Sequence, residues 1–362
     1  FFTPHPATPD PLWSRGLGDV YKRQGFPCPE IGGVEILKAV RNHAHYQSDI
    51  GGPNRGRGLA YGFWFGAGLP SSADLMVNSD GTVQLCSGSP DMSGTRITLA
   101  MQAAEALGID PSDVFPSVGD TTSVGYSFQT VASRTTFATG IAVYQAAQDI
   151  LAQMAERAAL IWQIATDDIL IDCGHFLNKA NTQQCFSFKE LAGKLDSTGG
   201  PIAARALASP EGVGFQITAH LVDLAVDTET GKVDILRYTA FQDAGKAVHP
   251  DFVEGQIQGG TVQGIGWALN EEYFYDEAGQ LKNTSLLDYR MPTILDIPDI
   301  EAVILEIPNP GHPYGVRGVG EVPIVPPAAA IANALYDAAG IRMDTLPMTP
   351  AKILDKLNSV TN

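Results

Sequence analysis

Three stretches of small and hydroxyl-bearing residues each meet a helix-like pattern: Ser93-Gly94-Thr95, Ala132-Ser133-Arg134-Thr135, and Gln258-Gly259-Gly260 through Gln263-Gly264. Such a stretch offers backbone N–H groups and the positive end of a helix to an anion. One alone is ordinary capping, but three in one chain point to a large anionic ligand held mainly through backbone. A carboxylate completes the set. Glu321 follows Gly320 in a segment punctuated by Gly315 and Gly318, so the chain beside it can come close to a ligand. A carboxylate so placed suits a general base. It could instead serve the helix that Pro326-Pro327 opens, whose dipole favours negative charge at that end. Ser133 and Thr135 could likewise be simple N-caps, and Gln263 a helix-surface residue.

Other chemistries find no support. There is no G-x-x-x-x-G-K-S/T phosphate loop and no G-x-S-x-G nucleophile elbow, and Gly315, Gly318 and Gly320 miss the G-x-G-x-x-G spacing. His43 and His45 stand two apart and could pair on a metal only on a strand, while His249 and His312 each adjoin a proline in a loop. The neighbours Asp167-Asp168 and Glu271-Glu272 read as solvated surface carboxylates.

Elements able to position these residues can be read from periodicity. Val34–Val40 is apolar at helical spacing, and a glycine-rich loop, GGPNRGRGLAYG, follows it. Strands at about 74–78 and 82–87 flank Asp80-Gly81, a hairpin signal. A helix at about 96–107 ends at Gly108, and a longer, alanine-rich one covers about 139–160. Residues 167–200 read as irregular. A second hairpin turns at Thr230-Gly231, a glycine-rich helix covers about 253–272, and a turn at Asp276–Gly279 precedes a strand and a proline-rich stretch, 292–313. Helices then start at Pro326-Pro327 and Thr349-Pro350. Strands and helices interleave without a βαβ rhythm, which predicts α+β.

Composition narrows the field. With 23 Lys plus Arg against 40 Asp plus Glu, the net charge is −17, a poor match for a phosphate backbone. Hydrophobic residues at 44% exclude a disordered chain, and no apolar run approaches the roughly 20 residues needed to span a bilayer. Cys28, Cys86, Cys173 and Cys185 are scattered and read as buried thiols. Residues 1–24 carry no apolar signal-peptide core and no periodicity. Their end, Asp19-Val20-Tyr21-Lys22-Arg23-Gln24, resembles the translated end of a transposon used in sequencing. They are expected to be a non-native sequencing artefact or a disordered tail, with the protein's own chain starting near Gly25, part-way through a gene.

The segments DGTVQLCSGSPDMSGT, VASRTTFATGIAVYQAA, QDAGKAVHPDFVEGQIQGGTVQGIGWALNEE, NTSLLDYRMPT and GVRGVGEVPIVPPAAAIANAL are spread along the chain, and the likeness they carry extends over about residues 50–355. In content and order they resemble the molybdenum-binding subunit of the xanthine dehydrogenase and aldehyde oxidase family, in its C-terminal half. The resemblance implies an α+β fold of mixed sheets with packed helices. Residues 25–65 would be the tail of the first molybdopterin-binding domain, and 66–362 the second, truncated at its N-terminus. It implies that Glu321, after Gly320, is the catalytic base of a G-x-G-E motif. Gln263 would contact the pterin, and Ala132, Ser133 and Thr135 would hold the dithiolene and phosphate portions. Gly94 would be the second glycine of a G-Q-G loop, with Ser93 where the family has glutamine, too short to make the same contact. Arg317 stands where lysine is common, and His249-Pro250 where Asn-Pro is common.

The implied cofactor is molybdenum on molybdopterin, in the cytosine dinucleotide form, with no metal ligand from this chain. The implied partners are an iron–sulfur subunit and an FAD subunit, in a higher oligomer of heterotrimers, with no nucleic acid and no membrane span. The implied activity is hydroxylation of an aldehyde or N-heterocycle carbon with water-derived oxygen, a glutamate as base, and electrons passing through molybdenum to those partners. The alternatives are a carbon monoxide dehydrogenase-like or isoquinoline oxidoreductase-like branch, or a cofactor-binding fragment inactive alone. The residues do not specify a compartment; the cytoplasm is the preferred expectation over the periplasm.

Overall fold

The computed structural model describes residues 31–210 and 214–361. The expected artefact or tail at 1–24, and Cys28, lie outside the described residues. The strands are β1 (Arg55–Gly66), β2 (Ser71–Val77), β3 (Val83–Ser87), β4 (Val114–Val118), β5 (Ile169–Asp172), β6 (His175–Asn178), β7 (Asn181–Ser187), β8 (Ile202–Ala208), β9 (Gly214–Val226), β10 (Val233–Asp243) and β11 (Ile300–Leu305). The helices are α1 (Gly33–Asn42), α2 (Ala44–Gln47), α3 (Thr95–Leu107), α4 (Gly140–Trp162), α5 (Phe188–Ala192), α6 (Leu195–Thr198), α7 (Pro250–Leu269), α8 (Pro327–Ala339) and α9 (Pro350–Thr361).

Among the described residues the strands form three sheets, in the orders β1-β9-β10-β11, β4-β3-β2-β8 and β5-β6-β7. The two larger sheets are mixed: β10 pairs parallel with β11, and β3 with β4, while their other pairs are antiparallel. Each parallel pair is joined through a helix, α7 or α3, so two isolated βαβ units sit in an otherwise antiparallel frame. The fold is α+β, as expected. Helices α7, α8 and α9 cover one face of the first sheet and α1 the other. Helices α3 and α4 cover the second sheet, and the buried Ala142, Ala146, Ala147, Ala155 and Ala158 let α4 lie close to it.

The largest departure from the sequence reading is β1. The expected loop GGPNRGRGLAYG forms most of a twelve-residue strand paired along its whole length with β9. Its glycines are spaced as strand residues: Gly56, Gly58, Ala60 and Gly62 share one face. A methyl group on Gly56 would collide with the Ala334 carbonyl, and one on Gly58 with the Ala330 carbonyl. The bare face thus lets α8 rest directly on the strand backbone. The expected domain boundary at 65/66 falls inside this strand.

Residues 167–200, expected irregular, hold β5–β7 with α5 and α6. The strands β5 and β6 have four residues each and β7 is polar and largely exposed, so no alternation marks them. A capping box, Ser187 with Glu190, starts α5. The strand expected after Asp276–Gly279 is reduced to one bridge, Tyr275 to Leu281; the strand instead lies inside the proline-rich stretch as β11. Cys173 and Cys185 belong to the small sheet and are exposed, contrary to the expected burial of the thiols; Cys86 is half-buried. His43 and His45 lie at the α1–α2 junction, not on a strand, and reach different carboxylates: His43 meets Glu301 at 3.2 Å, and His45 meets Asp223 at 3.2 Å.

Asp223 also receives a two-pronged contact from Arg57, with both bonds at 2.7 Å. Burial pushes the Asp223 carboxyl up, but Arg57 and His45 outweigh it and bring it down to about 2. The folded value is below the unfolded one, so this stabilisation is complete above the ordinary aspartate range and is lost as pH falls from about 4 to 2. Denaturant melts should therefore show about 2 kcal/mol of stability lost across that window, and Asp223→Asn should remove that step. At Gly58, an alanine should cost about 3 kcal/mol by overpacking against α8. At Gly259, an exposed α7 position where an added methyl meets nothing within 4 Å, alanine should stabilise by about 1 kcal/mol. Equal melts for these two variants would contradict the packing of β1 under α8.

Candidate functional site

A cleft of about 280 Å³ opens where α3, α7, the 130–136 turn and the 316–321 segment meet. Ser93, Ser133, Thr135, Gly320 and Glu321 all line it. Gly94 and Ala132 stand directly behind the lining. A side chain at Gly94 would strike the Phe252 ring on α7, and the Ala132 carbonyl accepts from Gln216 Nε2 at 3.4 Å.

The local backbone is unusual for these residue types. Ser93, Gly94, Ala132 and Ser133 all have left-handed φ, at 54°, 81°, 52° and 50°. Left-handed backbone turns N–H groups towards a concave side, as anion-binding nests do. Each pair also precedes a helix start. Helix α3 begins at Thr95, and a π-helical turn at Thr135–Thr139 runs straight into α4. The third start is not the one expected. Gln258 to Gly264 lie inside α7, fully helical, whereas α7 begins at Pro250 behind His249, which lines the cleft. Three helix starts therefore do converge, with His249-Pro250 supplying the third.

Arg134 fixes the 130–136 turn. Its side chain is fully buried, and its guanidinium donates to the carbonyls of Gly68, Leu69, Pro70 and Phe128. Burial pulls this cation's pKa down, yet four carbonyl acceptors make the site satisfied. Behind the 316–321 segment, Arg317 Nε meets Asp243 Oδ2 at 3.0 Å with both side chains fully buried. Burial pushes the Asp243 carboxyl up, against the pull of Arg317. The Arg317 amide donates to the Ala244 carbonyl at 3.1 Å, which ties the segment to the end of β10.

Glu321 is half-buried and caps nothing, although it precedes the short 3₁₀ turn Val322–Ile324. Its amide donates to Ser133 Oγ at 2.9 Å, and Ser133 Oγ donates back to its Oε2 at 3.1 Å. Trp64 Nε1 donates to the same Oε2 at 3.3 Å. Gly318 permits this approach, since a side chain there would collide with the Ser133 carbonyl.

Gln263 stands apart. It is exposed and does not line the cleft; Gln256, seven residues earlier on α7, does. Seven residues is about 10 Å along a helix, so both lie on one stripe but only the earlier one reaches the site. The spacing of His249, Phe252, Val253 and Gln256 is i, i+3, i+4, i+7, a pattern that would have identified Gln256 from sequence. Nothing in the sequence marks Trp64, because the glycines before it have a loop-like composition. His249 stacks on Phe252 with ring centres 3.8 Å apart, giving the cleft an apolar side.

The donor set can be tested against a molybdopterin. Among the described residues no group of three or more His, Cys, Asp or Glu side chains could hold a metal. Hydroxyls, a carboxamide, left-handed turns and three helix starts suit an anionic organic group. The residues fit one wall of such a site. Among the described residues no helix is long and apolar enough to cross a membrane.

The family model for the molybdopterin cofactor-binding domain matches residues 37–298. The chain is 31% identical to the putative xanthine dehydrogenase molybdenum-binding subunit of Escherichia coli K12, over 98% of this chain and 48% of that protein. It is 32% identical to subunit gamma of the 6-hydroxypseudooxynicotine dehydrogenase complex of Paenarthrobacter nicotinovorans, over 95% of this chain and 46% of that protein. The solved quinoline 2-oxidoreductase of Pseudomonas putida 86 superposes with a TM-score of 0.78 at 28% identity, covering 90% of this chain and 44% of that one. The chain thus spans about half the length of the curated relatives it matches. With the family's model running from α1 through β10 and α7, over more than half of the chain, this protein is a member of the molybdopterin cofactor-binding domain family.

Proposed function

We propose that the cleft receives the metal-bearing end of a molybdopterin and that Glu321 is the general base of an oxidative hydroxylation. One observation carries this reading: three helix starts meet a half-buried carboxylate that caps none of them. The helix starts favour an anion, and the carboxylate is the group beside it able to take a proton. Ser93, Ser133, Thr135 and Gln256 would hold the cofactor through hydroxyl, carboxamide and main-chain N–H. When bound, molybdopterin supplies a metal that activates water and accepts two electrons.

The chain's own residues supply position. Two donors occupy Oε2 of Glu321, while among the described residues Oε1 receives no hydrogen bond. Oε1 is therefore the atom that takes the proton. Met92, Phe252 and Val253 form an apolar side suited to a flat, uncharged substrate. Relatives named for xanthine and quinoline support an N-heterocycle as that substrate, with an aldehyde as the other class. The same proposal holds the cytosine dinucleotide form of the cofactor, electron exit through iron–sulfur and FAD subunits in an oligomer of heterotrimers, and a division at residue 65 between two molybdopterin-binding domains. A relative named as one subunit of a dehydrogenase complex supports separate partner subunits.

In the assembled holoenzyme, Glu321→Gln should retain molybdenum by metal analysis and lower kcat about 10²–10⁴-fold. An unchanged rate would remove Glu321 from the chemistry. Gln256→Ala should lower the molybdenum content of the purified protein, and Gln263→Ala should leave it unchanged. The opposite result would restore the cofactor contact to Gln263.

A further inference from the structure

We propose that Trp64 is a positioning residue for Glu321, and that the small-residue face of β1 exists to set this contact. The inference rests on the reading of Glu321 as the base. Residues 56, 58, 60 and 62 of β1 are glycine or alanine and face α8 and the turn before it. A side chain at Gly62 would press on Val325 and Pro326, each within about 3 Å of the added atom. The segment after Glu321 therefore lies flat along the strand. Trp64 is the next residue on that face, and the first with a large side chain. Its indole crosses to Glu321 and donates from Nε1 to Oε2 at 3.3 Å.

The geometry separates the two carboxylate oxygens. Trp64 and Ser133 converge on Oε2 from two different sheets' connections, β1 and the 130–136 turn. With Oε2 held from two directions, the carboxylate cannot rotate freely, and Oε1 is presented to the cleft. An indole is a donor only, so its bond fixes Oε2 as the acceptor and sets the direction of the carboxylate. The ring of Trp64 stacks on Phe65, with centres 5.4 Å apart, which holds the indole in this direction.

The first test uses the full 362-residue chain, labelled with 15N at its indoles and read by hydrogen exchange of the Trp64 Nε1–H, assigned through nuclear Overhauser contacts to the neighbouring Phe65 ring. Glu321→Ala should speed that exchange at least fivefold and leave the other indoles unchanged. The second uses the holoenzyme. Trp64→Phe keeps a ring and loses the donor, and should lower kcat about tenfold with KM unchanged. Exchange unaltered in Glu321→Ala would overturn the contact, and this arm decides alone if Trp64→Phe fails to fold. Faster exchange with kcat unaltered in Trp64→Phe would overturn the positioning role. Loss of the base reading itself has a different signature, full turnover in Glu321→Gln.

Discussion

Ser133 Oγ holds both ends of Glu321, accepting from its amide and donating to its carboxylate, and the rest of the site depends on that bridge. The bridge requires Ser133 to adopt left-handed φ and residue 318 to lack a side chain. A left-handed serine is strained, so the surroundings must compel it. Buried Arg134 does so, by drawing the carbonyls of residues 68–70 and 128 around its guanidinium. On the other side, the buried Asp243–Arg317 pair fixes the glycine-punctuated segment that carries Glu321. Two buried arginines thus act on the two halves of the bridge, one without a carboxylate contact in its hydrogen bonds and one with it.

The two larger sheets divide the work. The β1-β9-β10-β11 sheet carries α7 and α8, and hence Gln256, the Glu321 segment and Trp64. The β4-β3-β2-β8 sheet carries α3 and α4, and hence the Ser93 and Ser133 turns. The cleft forms where these two layers meet, as ligand sites commonly do between packed units. Glycine makes the meeting close: Gly94 against Phe252 and Gly318 against Ser133 are both contacts across that junction.

Much of this was legible in the sequence because it is local. Asp80-Gly81 and Thr230-Gly231 make their hairpins, Gly108 ends α3, and Pro327 opens α8, each by conformational preference alone. The clustering of Ser93, Ser133, Thr135, Gly320 and Glu321 was expected from their chemistry and from the family resemblance. What escaped was set by tertiary packing. The glycines of β1 look like a loop until α8 is seen to need their bare face. Gln258 to Gly264 looks like an anion loop because its composition is loop-like, yet the buried Ile257 and Ile265 on either side of it keep it within one helix. The choice between Gln256 and Gln263 turns on distance along one helix, which a stripe of residues does not reveal. Residues 167–200 hid their strands because short, exposed strands carry no alternation.

The proposed function requires these turns to surround one molybdenum-bearing group with Glu321 beside its metal. Anomalous diffraction at the molybdenum edge, from crystals of the assembled enzyme, tests it most directly. A single molybdenum peak per chain is expected in the cleft, next to the Glu321 carboxylate and the Ser133 turn. A peak elsewhere, such as along the exposed part of α7 beyond Gln263, with Glu321 facing empty solvent, would contradict it.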